Sequence, residues 1–111
     1  MADYEKLLRE NEPILRRRAG NGLDLDQHYA FEFVVRTKTE ADAKVARKAL
    51  RDQGYPALVT KWHAKPLFHA VFELRLIPDA AEITRIECMV QDICAAHGFQ
   101  NDGWEFLEPP V

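Results

Sequence analysis

The sequence contains no serine, which excludes every mechanism built on a serine nucleophile. It has only two cysteines, Cys88 and Cys94, six positions apart on what reads as one helix. That spacing separates them by about 9 Å along the axis and about 120° around it, too far for a disulfide. There is no Cys-x-x-Cys pair, so thiol-redox motifs and zinc ribbons are excluded as well. No apolar run approaches the roughly 20 residues that span a bilayer. The start, Asp3-Tyr4-Glu5-Lys6, lacks the basic-then-apolar layout of a secretory signal. The expectation is a cytoplasmic protein with reduced thiols and no membrane partner. Glycine is sparse, and Gly20-Asn21-Gly22 lacks the third glycine and preceding strand of a dinucleotide loop.

What remains is ordinary for a globular chain: 111 residues, 47% apolar and 30% charged, enough for one core. The net charge of −3 is unevenly spread, from +1 over residues 1–22 and +2 over 23–78 to −6 over 79–111. An acidic final third suits a basic protein partner and disfavours direct nucleic-acid binding.

Hydrophobic periodicity divides the chain into a helical segment with a glycine-rich link, 1–22, and a domain, 23–111. Residues 3–18 predict an amphipathic helix with Leu7, Leu8, Ile14 and Leu15 on one side, split or kinked at Pro13 with Asn11 as a cap. The cations Arg16, Arg17 and Arg18 suit the end of its dipole. A half-buried strand follows, with Tyr29, Phe31, Phe33 and Val35 inward and His28, Ala30, Glu32, Val34 and Arg36 outward. Thr39 caps a helix that runs to Gln53 and stops at Gly54, with Ala41, Val45, Ala46, Ala49 and Leu50 on its apolar side. Lys44, Arg47, Lys48 and Arg51 form a basic ridge on the other side.

Strands at 57–63 and 67–77 flank a turn at Ala64-Lys65-Pro66. The second buries Phe68, Ala70, Phe72, Leu74 and Leu76 and turns His69, Val71, Glu73 and Arg75 outward. Pro78-Asp79 opens a helix with Glu82 as capping-box partner and a stripe of Ile83, Ile86, Met89, Val90, Ile93 and His97. Cys88 falls opposite that stripe and is expected exposed. A last strand, 99–107, carries Asp102-Gly103 as a bulge signal. Together these predict an α+β fold: a ferredoxin-like plait, βαββαβ, whose four-stranded antiparallel sheet has two helices on one face and a helix before it. Its first and third strands are central.

The outward face of those strands lacks the aromatics on which an RNA-recognition plait stacks bases. Its glutamates and arginines predict cross-strand ion pairs, and Glu32 with Glu73 serves acid–base chemistry only if one is desolvated. His28, His63 and His69 lack the spacing and further ligands of a metal site, so no metal or cofactor is expected. Arg85, one turn from Cys88, would lower the thiol pKa slightly.

Several of these pieces carry a family resemblance. The helical lead-in, the strand His28–Thr37 after Leu23-Asp24-Leu25-Asp26, and the helix ending in Gln53-Gly54-Tyr55 resemble the regulator of ribonuclease E activity B (RraB) family. The most distinctive piece is Asn101-Asp102-Gly103-Trp104 followed by Glu108-Pro109. Better-known members carry a long acidic tail where this chain stops at Val111, and a less basic middle. The resemblance implies a ferredoxin-like, non-enzymatic regulator that binds ribonuclease E or its scaffold region and restrains RNA decay. Asp102, Gly103 and Trp104 map onto the family motif, and Glu82, Glu87, Asp92 and Glu105 join them as candidate protein contacts. A homodimer is left open. A competing expectation is a dimeric small-molecule binder or cofactor-free enzyme, with a pocket between sheet and helices lined by Trp62, Trp104, His63 and His69. An RNA binder acting through the basic ridge is a third.

Overall fold

A computed structural model describes residues 2–62 and 67–107. The order is α1 (Tyr4–Gly20), β1 (Tyr29–Thr37), α2 (Glu40–Asp52), β2 (Leu58–Trp62), β3 (Leu67–Leu76), α3 (Ala80–His97) and β4 (Gln100–Leu107). The four strands form one antiparallel sheet in the order β2-β3-β1-β4. The fold is therefore α+β, with three helices, a four-stranded antiparallel sheet and an N-terminal helix.

The alternation in β1 controls everything above the sheet. Tyr29, Phe31, Phe33, Val35 and Thr37 are buried on one side, while Ala30, Glu32, Val34 and Arg36 are half-buried on the other. Phe33 stacks on Phe72 with ring centroids 5.0 Å apart, and Tyr55 meets Phe72 at 4.8 Å. Leu50, Ile83, Ile86, Val90 and Cys94 complete this core from α2 and α3. The turn at Ala64-Lys65-Pro66 lies outside the described residues.

The helix caps follow local chemistry. Thr39 accepts a hydrogen bond from the Asp42 N–H at 3.1 Å, as its sequence predicts. Gly54 takes φ +90° just beyond α2, where a side chain would be strained. Asp79 caps α3 through the Ala81 N–H, but Glu82 does not close the expected capping box. Its carboxylate is engaged instead by Arg85, at 2.7 and 3.2 Å.

Three expectations about helix faces are corrected. First, α1 runs unbroken through Pro13 rather than splitting there, and Asn11 is no cap but a buried interior residue. Asn11 and Leu15, one turn apart on either side of the proline, are both held in the interior, and that packing outweighs the one backbone bond a proline removes. Ile14, placed in the stripe by its spacing, is 41% exposed. Second, α2 buries Ala43, Ala46 and Leu50 and leaves Val45 and Ala41 exposed. Third, the His97 end of α3 projects past the core, so His97 is exposed and stacks on Phe99 at 5.3 Å.

Candidate functional site

Helix α3 packs on the sheet, beside α2, and is covered from another side by α1, and this decides where the candidate residues lie. Asn11, 4% exposed, is the centre of the α1–α3 contact. Its Nδ2 donates to Thr84 Oγ1 and Glu87 Oε1, both at 3.0 Å, and its Oδ1 accepts from Trp104 Nε1 at 3.0 Å. Both amide protons and the carbonyl are used, so one side chain ties α1, α3 and β4 together. The indole sits against Phe31 at a centroid distance of 5.8 Å. The one sequence signal for this role is a polar residue, Asn11, set inside the stripe of Leu7, Leu8, Ile14 and Leu15.

Glu87, expected as a surface contact, is buried at 7% exposure in this network. A single-stripe view of α3 places it in solvent; α1 covers it. Burial raises its carboxyl pKa above the ordinary value, with Glu10 adding to the rise and hydrogen bonds from Asn11 and Asn101 opposing it. The folded chain therefore holds this proton more tightly than the unfolded chain does. The stability linked to it is full below the ordinary carboxylate pKa and is lost as pH rises through the raised folded value. Glu87→Gln should accordingly be more favourable to stability at pH 7 than at pH 4. Urea midpoints at the two pH values check this, and an equal effect at both would refute it.

The other candidates divide between two surfaces. Glu82 lies on the solvent side of α3, paired with Arg85, which lowers its pKa. Asp92, also on α3, accepts from the Ala2 backbone N–H. Asp102 and Glu105 lie on the sheet face away from the helices, where Asp102 pairs with Arg36 at 2.6 Å. Gly103, at φ +87°, forms the bulge that Asp102-Gly103 predicts: two residues of β4 stand opposite Val34 alone. The bulge lets Asp102 face Arg36 while Trp104 points back into the helical side. The seven candidates thus do not form one patch.

On the open sheet face the expected cross-strand ion pairs are absent among the described residues, apart from Arg36 with Asp102. The register places Glu32 opposite Glu73 on β3 and opposite Glu105 on β4. Periodicity assigns residues to a face, but only register decides which charges meet. Burial raises the Glu32 pKa first, and the charges of Glu73 and Glu105 raise it further, with His69 opposing.

The remaining expectations also meet the geometry. Trp104 lies on the helical side of the sheet and His69 on the open side, so the two do not converge on one cavity. His63 and the Trp62 side chain lie outside the described residues. Clefts occur at the rim: one of about 520 Å³ is lined by Arg17, Arg18, Leu23, Tyr29 and Phe106. The basic ridge of α2 is largely engaged, with Lys44 on Glu40 at 3.5 Å, Lys48 on Asp52 at 3.0 Å, and Arg51 Nε donating to the Ala57 carbonyl. Cys88 is half-buried rather than exposed, and its pKa is raised by burial and by Asp92, Glu87 and Asp3, against the expected lowering by Arg85. Burial pushes the Cys94 thiol up to about 11. Neither is an activated nucleophile. No described helix is long and apolar enough to cross a membrane.

No curated protein matches this chain. A family model does: residues 8–106, from the first turns of α1 to the end of β4 and including Asn11, Glu87 and Trp104, match RraB, regulator of ribonuclease activity B. With nearly the whole fold inside that match, the chain belongs to the RraB family of ribonuclease regulators.

Proposed function

We propose that this protein is a non-enzymatic, cytoplasmic regulator that restrains RNA decay by binding a ribonuclease E-type enzyme or its scaffold region. The observation that carries the reading is the family match across residues 8–106. The strand order β2-β3-β1-β4 and the βαββαβ sequence after α1 support describing the domain as a ferredoxin-like plait. Thiols with raised pKa values, Cys94 buried and Cys88 half-buried, and a tightly filled sheet–helix core favour a binding role over chemistry. The candidate contacts on this reading are the solvent-facing acids Glu82, Asp92, Asp102 and Glu105, with Glu87, Gly103 and Trp104 shaping the scaffold behind them.

An acidic surface binding a basic segment gains much of its attraction from long-range charge, which added salt screens. Binding of the purified protein to a purified ribonuclease E-type enzyme should weaken about tenfold or more between low and moderate salt. RNA cleavage by that enzyme should slow as the protein is added, while the protein alone leaves the RNA intact. Failure to bind at low salt would overturn the reading.

A further inference from the structure

The sheet has one bare side. Helices α2 and α3 pack on the Phe31 and Phe33 side, and α1 packs on α3, so no described element covers Ala30, Glu32, Val34 and Arg36 or their neighbours.

Two parallel lines of side chains cross this face. The register aligns Glu73, Glu32 and Glu105 on three adjacent strands. At about 4.8 Å between strands, the line is about 10 Å long. Like charges directly opposite one another oppose sheet formation; among the described residues no lysine or arginine lies within ion-pair distance of any of the three, and the charge of His69 on the same face only partly offsets the line at Glu32. The nearby Arg36 is committed to Asp102, and Arg75 stands opposite Ala30 on the far side of the line. Two residues along the strands, about 7 Å away, Leu58, Val71 and Val34 form an apolar line. Leu58 is 58% exposed, the most exposed of the large apolar side chains described.

We propose that this open face docks a basic amphipathic helix of a protein partner, its Lys and Arg side chains over Glu73, Glu32 and Glu105 and its apolar edge on Leu58, Val71 and Val34. The inference rests on the partner-binding function above and names the surface and the chemistry of what it takes. The dimensions agree: positions i, i+4 and i+7 of a helix span about 10.5 Å, the length of the carboxylate line. The basic and apolar edges of one helix, about 10 Å across, can bridge lines about 7 Å apart. Nucleic acid and anionic lipid are repelled by the same three carboxylates.

The test uses the full chain and a short helix-forming peptide with lysines at i, i+4 and i+7 and leucines along the adjacent edge. A scrambled peptide of equal composition is the control. The amphipathic peptide should bind at least about tenfold tighter than the scrambled one, with amide shifts on β1 and β3. E73Q/E105Q should weaken it about tenfold, whereas E40Q/D52N, which removes two exposed charges on α2, should not. Because E73Q/E105Q relieves like-charge repulsion, it should unfold no more readily than the parent chain, so lost binding reports docking. Equal affinity for both peptides, or shifts confined to α3, overturns the proposal. Full capture of the ribonuclease by E73Q/E105Q would refute this face and leave partner binding standing. Peptide docking without any ribonuclease capture would do the reverse.

Discussion

Asn11→Ala should cost about 3 kcal/mol of folding stability, far more than a partly polar helix position ordinarily commands. The reason is the company the side chain keeps. Its amide donates to Thr84 and Glu87 and accepts from the Trp104 indole, all at 3.0 Å, the first two buried and the third part-buried. Truncation leaves an indole N–H and a carboxylate oxygen short of partners, and each orphaned buried group costs about 1–3 kcal/mol. The Asn101 amide, which donates to Gln91 at 2.9 Å, also lies near enough to Glu87 to favour its carboxylate, so the Trp104 end carries much of the loss. The melting temperature should fall by roughly 10–20 °C. Trp104→Phe removes one of the three bonds and should cost about 1 kcal/mol. A double-mutant cycle between the two positions should show coupling of about 1 kcal/mol. A loss below about 1 kcal/mol for Asn11→Ala would mean that the hub is dispensable.

Phe31→Ala should be more damaging still, at about 4 kcal/mol. Phe31 is fully buried in a central strand, with Trp104 at 5.8 Å and Phe106 at 5.7 Å on β4. Removing the ring deletes its transfer energy and leaves a cavity between β1 and β4 that neighbouring backbone, fixed by two ladders, cannot fill. A domain of this length is stable by about 5–15 kcal/mol, so the variant should be close to unfolding at 37 °C. Urea denaturation with an unchanged m-value checks the loss, and a cost under about 2 kcal/mol would show that the site collapses around the gap.

Both residues bear on the family's Asp-Gly-Trp segment. Trp104 is locked from one side by Asn11 and from the other by Phe31, so its role here is to fasten β4 to α1 and the core. The Asp102-Gly103 bulge sets that orientation, since the extra residue turns Asp102 toward Arg36 on the opposite face.

The local devices were legible because each acts over a few residues. The period-2 pattern of β1, the Thr39 cap, the Gly54 stop and the Asp102-Gly103 bulge all depend on neighbours in the chain, and all stand where the sequence puts them. The absence of serine ruled out a class of chemistry, and the closing Asn101-Asp102-Gly103-Trp104 pointed to the right family. What failed depended on partners far away in sequence. Pro13 reads as a split or a kink, and burial of Asn11 and Leu15 on either side keeps the helix continuous; Glu87 reads as surface until α1 covers it; Asn11 reads as a cap until Trp104, 93 residues away, reaches it. The glutamate line across β3, β1 and β4 is invisible to periodicity, which assigns a side chain to a face but not to an opposite number. Local backbone chemistry sufficed for the elements and their order, while the burial of polar groups and the meeting of charges were decided by tertiary packing and strand register alone.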